Sequence, residues 1–568
     1  MPRFRARRWI LLGLLGLCAF ALVLRAIDQQ IFETDFLQSE GQRRHLRVVE
    51  ISAHRGMITD RRGEPIAIST PVDSIWANPR VLSSSNRTLA PLAKALGRDL
   101  DGLRQQLAAR SDKSFIYLRR RVSPDISGRV KALTESLDTN GIGLQREYRR
   151  YYPAGEVFSQ VLGFTDVDDQ GQEGIELAYQ EWLQGTPGKK RVIRDGLARV
   201  VKDVESINEP EEGRPLALSL DRRLQFLAYR ELKAAVVEHN AKSGSAVILD
   251  ARSGEVLAMV NQPAFNPNAS GGRSGGKLRN RAVTDVFEPG STMKPFTVAA
   301  GLESGQYRPN TPIDTHPGIM RVGRHRVKDH RDYGLIDVAT VILKSSNVGA
   351  SKIALSLEPA HLWNFFSRLG FGEATNSGFP GEAGGQLSAP RGWAKIDQAT
   401  LAFGYGLSVT PLQLARAYGV LAADGIRRPV TLIRSDETAP GERVMSVETA
   451  RAVRTMMRAV VSAEGTAPKA AIPGYTVAGK TGTVKKSIAG GYSEKSYQAV
   501  FAGMAPATDP RLVMVVMINE PRAGKYYGGQ VAGPVFSRVM SGALRLLNIA
   551  PDDLPEEEPR FAAAGGRK

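Results

Sequence analysis

Hydrophobic positions follow three different patterns along the chain. An uncharged, mostly aliphatic run covers Trp9–Leu24 near the N-terminus. Between residues 88 and 137, leucines recur near helical spacing and predict short amphipathic helices. Those leucines are Leu89, Leu92, Leu96, Leu103 and Leu107. Farther along, two pairs of short apolar stretches joined by tight turns predict strands at 244–249 and 255–260, and at 497–504 and 512–518.

Strand pairs mixed with helices predict an α+β fold in which helices flank an antiparallel sheet. At 568 residues the chain is too long for a single core. The polar segment Asn208–Arg214 marks a boundary between domains. We therefore expect a tail and apolar helix at 1–28, a mixed α/β domain at 29–210, a larger domain at 211–550 and a disordered tail at 551–568.

The N-terminal apolar run predicts a membrane anchor. A helix over Trp9–Leu24 would span roughly 24 Å, short of the ~30 Å hydrocarbon core, so Arg8 and Arg25 would have to snorkel to the headgroups. A cleaved signal peptide is the alternative, although no small-x-small cleavage site follows the run, and Cys18 after bulky Leu17 disfavours a lipoprotein. Basic residues at 3–8 predict a cytoplasmic N-terminus with the remaining chain outside.

The net charge of the chain limits the kinds of ligand that we expect it to bind. The formal net charge is +18, which suits an acidic polymer or lipid headgroups. Nucleic acid is disfavoured because the sequence has no dense Lys/Arg stripe interleaved with aromatic residues. The seven histidines show no metal-ligand spacing, so the sequence indicates neither a metal nor another cofactor. With one cysteine, the chain cannot form an intramolecular disulfide.

Three short motifs occur in order along the C-terminal two-thirds of the chain. They are Ser291-Thr292-Met293-Lys294, Ser345-Ser346-Asn347 and Lys480-Thr481-Gly482-Thr483. Each motif is weak alone, since Ser-x-x-Lys recurs at 274–277 and Ser-x-Asn at 84–86 and 206–208. Their order carries the signal, because this is the active-site set of the penicillin-recognising acyl-serine enzymes.

The first two motifs can supply a nucleophile and its base. Ser291 and Lys294 lie three residues apart at a predicted helix start and share one face. Lys294 can deprotonate the serine only if burial or a second cation, such as Lys480, lowers its pKa. Ser345 could pass a proton towards a leaving amine, and Asn347 could hold a substrate amide. Taken singly, these motifs also fit helix caps and a solvated lysine.

The third motif suits recognition of a substrate. Lys480 and the hydroxyls of Thr481 and Thr483 can bind a carboxylate, and Gly482 would let a substrate lie close to the strand. The backbone N–H groups of Ser291 and Thr483 could form an oxyanion hole. A phosphate-binding P-loop is the rival on 474–481, but it requires a helix after Lys480, where the pattern predicts strand.

With these motifs the chain resembles the class B penicillin-binding proteins, most closely the division-specific septal transpeptidases of Gram-negative bacteria. The resemblance covers almost the whole chain. It rests on the N-terminal anchor, the three motifs and further segments, namely Arg55-Gly56…Asp60-Arg61…Gly63, Arg150-Tyr151-Tyr152-Pro153, Gly171…Gly174…Glu176, Phe287-Glu288-Pro289-Gly290 and Gly404-Tyr405-Gly406.

The resemblance implies a monofunctional D,D-transpeptidase with a penicillin-binding transpeptidase fold, an elongated non-catalytic pedestal and a single anchor in the inner membrane. Its catalytic domain would be periplasmic. Ser291 would be the acylated nucleophile, Lys294 its base, and Ser345, Asn347 and Lys480 their partners. The expected partners are peptidoglycan stem peptides, β-lactams, the membrane and other division proteins, including a polytopic glycosyltransferase.

Two other functions use the same residues. A D,D-carboxypeptidase or β-lactamase-like hydrolase would pass the acyl group to water, although such enzymes are usually about half this length. From a different class, the chain could be a scaffold of the division complex in which catalysis is secondary. Transfer of the acyl group to an amine rather than to water distinguishes a transpeptidase from a hydrolase. Loss of Ser291 distinguishes an enzyme from a scaffold.

Overall fold

The computed structural model describes residues 3–28, 46–82, 86–137, 141–194, 200–269, 271, 275–488 and 491–554. The chain forms two compact units, each built from separate segments. The first comprises Met1–Arg55, Ser69–Arg149 and Gln184–Arg214, and the second comprises Gly56–Ile68, Arg150–Leu183 and Pro215–Lys568. Because the units alternate along the chain, a single boundary near residue 210 describes them only in part, and the domain bounds remain a prediction.

The first unit begins with a helix over Arg3–Ile27. Within the described residues, its segment Arg7–Ile27 is the one helix long and apolar enough to cross a membrane, with a mean hydropathy of 2.5. Twenty-one helical residues span about 31 Å, which matches the hydrocarbon core. The helix continues past Leu24, but this segment includes Arg7, Arg8 and Arg25, so the uncharged run keeps its bounds of Trp9–Leu24 and the predicted snorkelling of Arg8 and Arg25 remains a prediction.

The remainder of the first unit combines a three-stranded antiparallel sheet and a second group of paired strands with short helices. Strands Leu46–Ile51, Gly188–Arg194 and Val200–Asn208 form a three-stranded antiparallel sheet. Residues 73–77 of the strand Pro65–Ala77 pair with Ile116–Val122, and the strand Ile142–Tyr151 follows. The helices are Pro79–Leu82, Asn86–Leu96, Leu100–Ala108 and Pro124–Ser136. All five predicted leucines are buried in the core of this unit, which confirms the predicted amphipathic helices.

The second unit is organised around a five-stranded antiparallel sheet. In spatial order its strands are Val256–Gln262, Ser243–Asp250, Leu512–Asn519, Gly491–Ala505 and Ala478–Ile488. Every residue of the first two strands is buried, so both faces of that part of the sheet are covered. The helices Arg222–Glu238, Pro411–Ala422 and Gly533–Leu546 pack against the sheet. The predicted antiparallel sheet with flanking helices is confirmed.

Smaller elements complete the second unit. Its other helices are Ser159–Leu162, Gly174–Ala178, Gln180–Leu183, Arg281–Thr284, Lys294–Glu303, Val338–Leu343, Asn347–Ser356, Pro359–Arg368, Lys395–Leu401, Val447–Ala459 and Gly528–Val531. Short hairpins pair Pro312–Asp314 with Leu335–Asp337, Ile319–Val322 with His325–Lys328, Gln386–Leu387 with Leu407–Ser408, and Ile426–Arg427 with Glu442–Arg443. Within the tail predicted at 551–568, Asp552 accepts hydrogen bonds from Thr476 and Thr508, and residues 555–568 lie outside the described residues.

A buried ion pair joins three of the segments that carry the family resemblance. Arg150 Nε donates to Glu176 Oε1 at 2.6 Å, and the two side chains are 1% and 0% exposed. A second nitrogen of Arg150 donates to the carbonyl of Gly56 at 2.8 Å. A Cβ at Gly171 would lie 2.0 Å from the carbonyl oxygen of Glu176, so only glycine fits there. These segments are therefore linked by packing and hydrogen bonding within the second unit.

Replacing Arg150 with methionine is expected to destabilise the second unit by about 3–5 kcal/mol, because Glu176 would keep a buried charge without its partner. Thermal unfolding of the detergent-solubilised chain measures the effect. Arg252→Met is the matched control, since it removes an exposed ion pair with Asp509 whose side chains are 55% and 78% exposed. We expect the control to cost less than about 1 kcal/mol. Equal shifts in the two variants would contradict this account.

Candidate active site

Ser291 lies on a tight turn that leads directly into a helix. Residues Gly290–Met293 form a 3-10 turn, and the α-helix runs over Lys294–Glu303. Gly290 has φ +57°, in the left-handed region, and a Cβ there would lie 2.4 Å from Val484 Cγ2. Glycine is therefore needed before the serine on both conformational and steric grounds. The predicted helix start is confirmed, although its first turn is the 3-10 turn and the α-helix itself begins at Lys294.

Lys294 is the centre of the hydrogen-bond network. Its side chain is completely buried, and Nζ donates to Ser291 Oγ at 3.1 Å, Ser345 Oγ at 3.1 Å and Asn347 Oδ1 at 2.7 Å. The backbone carbonyl of Ser345 also accepts from Nζ. Residues from the first two motifs, more than fifty positions apart in sequence, therefore meet around the amine of Lys294.

Ser345 lies between the two lysines. Lys480 Nζ donates to Ser345 Oγ at 2.9 Å, on an oxygen that also accepts from Lys294. Ser345 adopts φ +60°, which is uncommon for a residue with a side chain and is held here by the surrounding contacts. Its hydroxyl thus links the first and third motifs.

Burial controls the charge of both lysines. The pKa of Lys294 is held well below its ordinary value, first by burial and then by the nearby charge of Lys480, while Asp329 opposes the shift. Burial lowers the pKa of Lys480 to about 7. A lysine with a lowered pKa can be neutral at physiological pH and accept a proton. Ser291 is only partly buried, so its hydroxyl can be reached from solvent while the amine of Lys294 is enclosed.

Two residues that hold the second motif had no predicted role. The carboxylate of Asp329 accepts hydrogen bonds from Ser346 Oγ at 2.6 Å and from the backbone N–H of Val348 at 3.0 Å, and it also accepts from the N–H of Asn347. Ser346 Oγ in turn accepts from the N–H of Gly349 and caps the helix Asn347–Ser356. Ser346 stood inside the motif, but no sequence signal identifies Asp329, which is eighteen residues upstream of Asn347.

The third motif lies in the edge strand Ala478–Ile488. Strand pairing continues through Thr483 and beyond, so no helix follows Lys480 and the P-loop alternative is wrong. A Cβ at Gly482 would lie 2.9 Å from the carbonyl oxygen of Pro289 and 3.0 Å from Thr292 Cγ2. Glycine at 482 therefore lets the strand approach the turn that carries Ser291, and its contact with a substrate remains a prediction.

The threonines of the third motif have different surroundings. Thr481 is buried and its hydroxyl lies 3.0 Å from that of Thr466. Thr483 is partly exposed, and its Oγ1 accepts a hydrogen bond from the N–H of Gly528 at 3.0 Å. Of the two hydroxyls, that of Thr483 is therefore the more accessible to a ligand.

The glycine-rich segment Gly404-Tyr405-Gly406 packs against the turn that carries Ser291. Gly290 N–H donates to the carbonyl of Gly404 at 3.1 Å, and a Cβ at Gly404 would lie 2.1 Å from the carbonyl oxygen of Gly290. Glu288 accepts hydrogen bonds from the N–H of Gly406 at 2.9 Å and from the hydroxyl of Tyr492 at 3.0 Å. These contacts fix the backbone on the N-terminal side of Ser291.

Comparisons with known proteins agree with this geometry. The penicillin-binding protein transpeptidase domain matches residues 244–541, and the penicillin-binding protein dimerisation domain matches residues 50–218. The chain is 46% identical over 551 residues to the peptidoglycan D,D-transpeptidase FtsI of Escherichia coli K12, covering 96% of this chain and 92% of that protein. It is 40% identical to the probable peptidoglycan D,D-transpeptidase PbpC of Pseudomonas aeruginosa, covering 98% of each.

A solved structure of a transpeptidase domain is also similar to this chain. The transpeptidase domain of penicillin-binding protein 3 from Burkholderia pseudomallei is 46% identical, has a TM-score of 0.55, and covers 59% of this chain and 98% of its own. The motif order, the arrangement of the two buried lysines around Ser345 and the full-length similarity agree. The chain belongs to the class B penicillin-binding proteins, the family of peptidoglycan D,D-transpeptidases that combine a dimerisation domain with a transpeptidase domain.

Proposed function

We propose that this chain cross-links peptidoglycan stem peptides during septal wall synthesis through an acyl-enzyme on Ser291. The observation that carries the proposal is the 3.1 Å hydrogen bond between the completely buried Lys294 Nζ and Ser291 Oγ. A buried amine with a lowered pKa beside a reachable hydroxyl is the arrangement that activates a serine. The same serine would be acylated by β-lactams.

In the acylation step, neutral Lys294 takes the proton from Ser291 Oγ as this oxygen attacks the carbonyl carbon of the penultimate D-alanine. A C–O bond forms, and the carbonyl oxygen becomes an oxyanion near the backbone N–H groups of Ser291 and Thr483. Collapse of this intermediate breaks the C–N bond. The leaving amine of the terminal D-alanine takes a proton from Ser345 Oγ, which recovers one from Lys294.

In the second step, the side-chain amine of a neighbouring stem attacks the ester carbonyl. A C–N bond forms, the ester C–O bond breaks, and the amine's proton returns to Ser291 Oγ through Lys294. The two steps together release one D-alanine for each cross-link and regenerate the free hydroxyl of Ser291. Asn347, which contacts Lys294 through Oδ1, is proposed to bind the substrate backbone, and Lys480 with Thr481 and Thr483 to bind its carboxylate.

Cross-link formation tests the function directly. Uncross-linked strands with pentapeptide stems are supplied to the detergent-solubilised chain, and the products are separated and weighed by mass spectrometry. The proposal expects dimeric stems, with one D-alanine released for each new bond. D-alanine release without dimers would instead support a carboxypeptidase, because water would then be the acceptor.

The rate of acylation by benzylpenicillin is expected to depend on pH as a bell-shaped curve. On the acid side, the rate falls as Lys294 gains a proton, well below the ordinary lysine pKa. On the alkaline side, it falls through about pH 7, where Lys480 loses the charge that attracts the drug's carboxylate. Stopped-flow acylation measures the profile, and Lys480→Gln should flatten the alkaline limb. A rate that rises steadily to pH 10 would contradict these assignments.

The apolar helix Arg7–Ile27 supports a single membrane anchor. We infer that the N-terminus lies in the cytoplasm and the catalytic unit in the periplasm, because the basic residues precede the helix. The pedestal at 29–210 is proposed to contact other division proteins, and the anchor to pair with a polytopic glycosyltransferase.

A further inference from the structure

A strongly basic hairpin projects from the catalytic unit beside the second motif. Strands Ile319–Val322 and His325–Lys328 pair antiparallel, and together with their turn they form what we term the basic ribbon. Its exposed basic side chains are Arg321, Arg324, His325, Arg326 and Lys328. Residues 319–328 contain no acidic side chain. The ribbon therefore concentrates positive charge on a small surface.

The two faces of the basic ribbon differ in character. Val322 and Val327 are 6% and 4% exposed and belong to the hydrophobic core of the second unit. This face packs against the helices Asn347–Ser356 and Lys395–Leu401. The exposed side chains of the other face include Arg321 and Arg326. The ribbon is thus fixed by its apolar face and presents its basic face to solvent.

The charges of the basic face are not balanced by the protein. Arg321 and Arg326 are direct cross-strand partners, an arrangement in which like charges destabilise a sheet. Within the described part of the chain, no acidic side chain forms an ion pair with Arg321, Arg324 or Arg326. The nearest acids in sequence are otherwise engaged, since Asp329 binds the second motif and Asp332 pairs with His316. An anionic ligand would remove this repulsion.

The basic ribbon is connected to the catalytic network by its last residue. The backbone carbonyl of Lys328 accepts a hydrogen bond from Asn347 Nδ2 at 2.9 Å, and Asn347 Oδ1 accepts one from Lys294 at 2.7 Å. The neighbouring carboxylate of Asp329 anchors the start of the same helix. The C-terminal end of the basic ribbon is therefore hydrogen-bonded to the residue that contacts Lys294.

We propose that the basic ribbon binds the free carboxylates of stem peptides on a peptidoglycan strand, and so holds a strand beside the reacting serine. This inference rests on the proposed function, which supplies a multivalent acidic substrate at this site. A stem peptide that ends in D-alanine carries a free terminal carboxylate, and several stems repeat along one strand. A membrane surface is the competing anionic ligand, but the ribbon's connection to Asn347 favours the substrate.

The test compares two triple variants of the full-length, detergent-solubilised chain. Arg321→Gln, Arg324→Gln and Arg326→Gln remove the ribbon's charge, whereas Arg62→Gln, Arg458→Gln and Arg545→Gln remove three exposed charges elsewhere in the second unit. Each protein is titrated with uncross-linked pentapeptide strands, with the same strands after amidation of their carboxylates, and with vesicles containing anionic phospholipid. Acylation by a fluorescent penicillin is measured in parallel.

We expect the ribbon variant to bind unmodified strands about tenfold more weakly than the wild type and the control variant. Amidated strands should bind weakly to all three proteins, and penicillin acylation should be unchanged. Equal strand affinity in both triple variants, or undiminished binding of amidated strands, would overturn the inference. A loss of vesicle binding alone would overturn it in favour of a membrane contact. Failure of wild-type acylation would instead overturn the proposed function, independently of the ribbon.

Discussion

Alanine in place of Ser291 is expected to abolish covalent labelling by penicillin. The variant lacks the oxygen that forms the ester, and no described hydroxyl in the network occupies the same place at the start of the helix. Ser345 is the other hydroxyl bonded to Lys294, but its Oγ accepts hydrogen bonds from both lysines and is proposed to carry protons. Labelling with a fluorescent penicillin, read on a denaturing gel, measures the effect.

Ser304→Ala is the matched control for this variant. Ser304 follows the C-terminal end of the same helix, and its Oγ donates to the carbonyl of Gly301 at 2.7 Å. The control should be labelled like the wild type, and both variants should unfold near the wild-type temperature. Normal labelling of Ser291→Ala would show that Ser291 is not the nucleophile. In cells, a catalytic role expects Ser291→Ala to fail in division, whereas a scaffold would still support it.

Replacing Lys294 with alanine is expected to lower the acylation rate by about 10²–10⁴-fold, the range typical of a lost general base. The side chain is the only described amine within hydrogen-bond distance of Ser291 Oγ. Lys294→Arg should be similarly slow, because a guanidinium keeps its proton and cannot accept another. Rapid-mixing measurements of acylation against penicillin concentration give the rate constant for each variant.

Lys352→Ala is the control for the loss of a lysine near the second motif, since its Nζ bonds only to the carbonyl of Asp314 among the described contacts. Its acylation rate should equal that of the wild type. Circular dichroism and thermal unfolding should show that Lys294→Ala remains folded. If Lys294→Arg were acylated normally, a fixed positive charge would suffice and Lys294 would not be the base.

Local sequence patterns predicted the elements that carry the motifs. Apolar stretches with tight turns indicated four strands of the antiparallel sheet, and Val-Thr-rich sequence around Lys480 indicated strand rather than helix. The spacing of Ser291 and Lys294 predicted that they share one face of a helix start, where the structure joins them by a hydrogen bond. These features depend on residues close together in sequence, so periodicity and propensity are sufficient.

Features that depend on distant contacts were not predictable. Asp329 acts through the backbone and side chain of a motif eighteen residues away, and nothing in its own neighbourhood marks it. The left-handed backbone of Ser345 and the close approach of Gly482 to Pro289 arise only when separate elements pack. The alternation of the two units along the chain also follows from tertiary pairing, which a single polar boundary cannot indicate.

The most direct test of the central claim is the intact mass of the wild-type chain over time after exposure to a β-lactam, with the modified peptide mapped by digestion. The account predicts one adduct, on the peptide that contains Ser291, and slow loss of that adduct because water is not the intended acceptor. Rapid drug turnover without a lasting adduct would contradict it in favour of a hydrolase, and an adduct on another residue would contradict the assignment of Ser291.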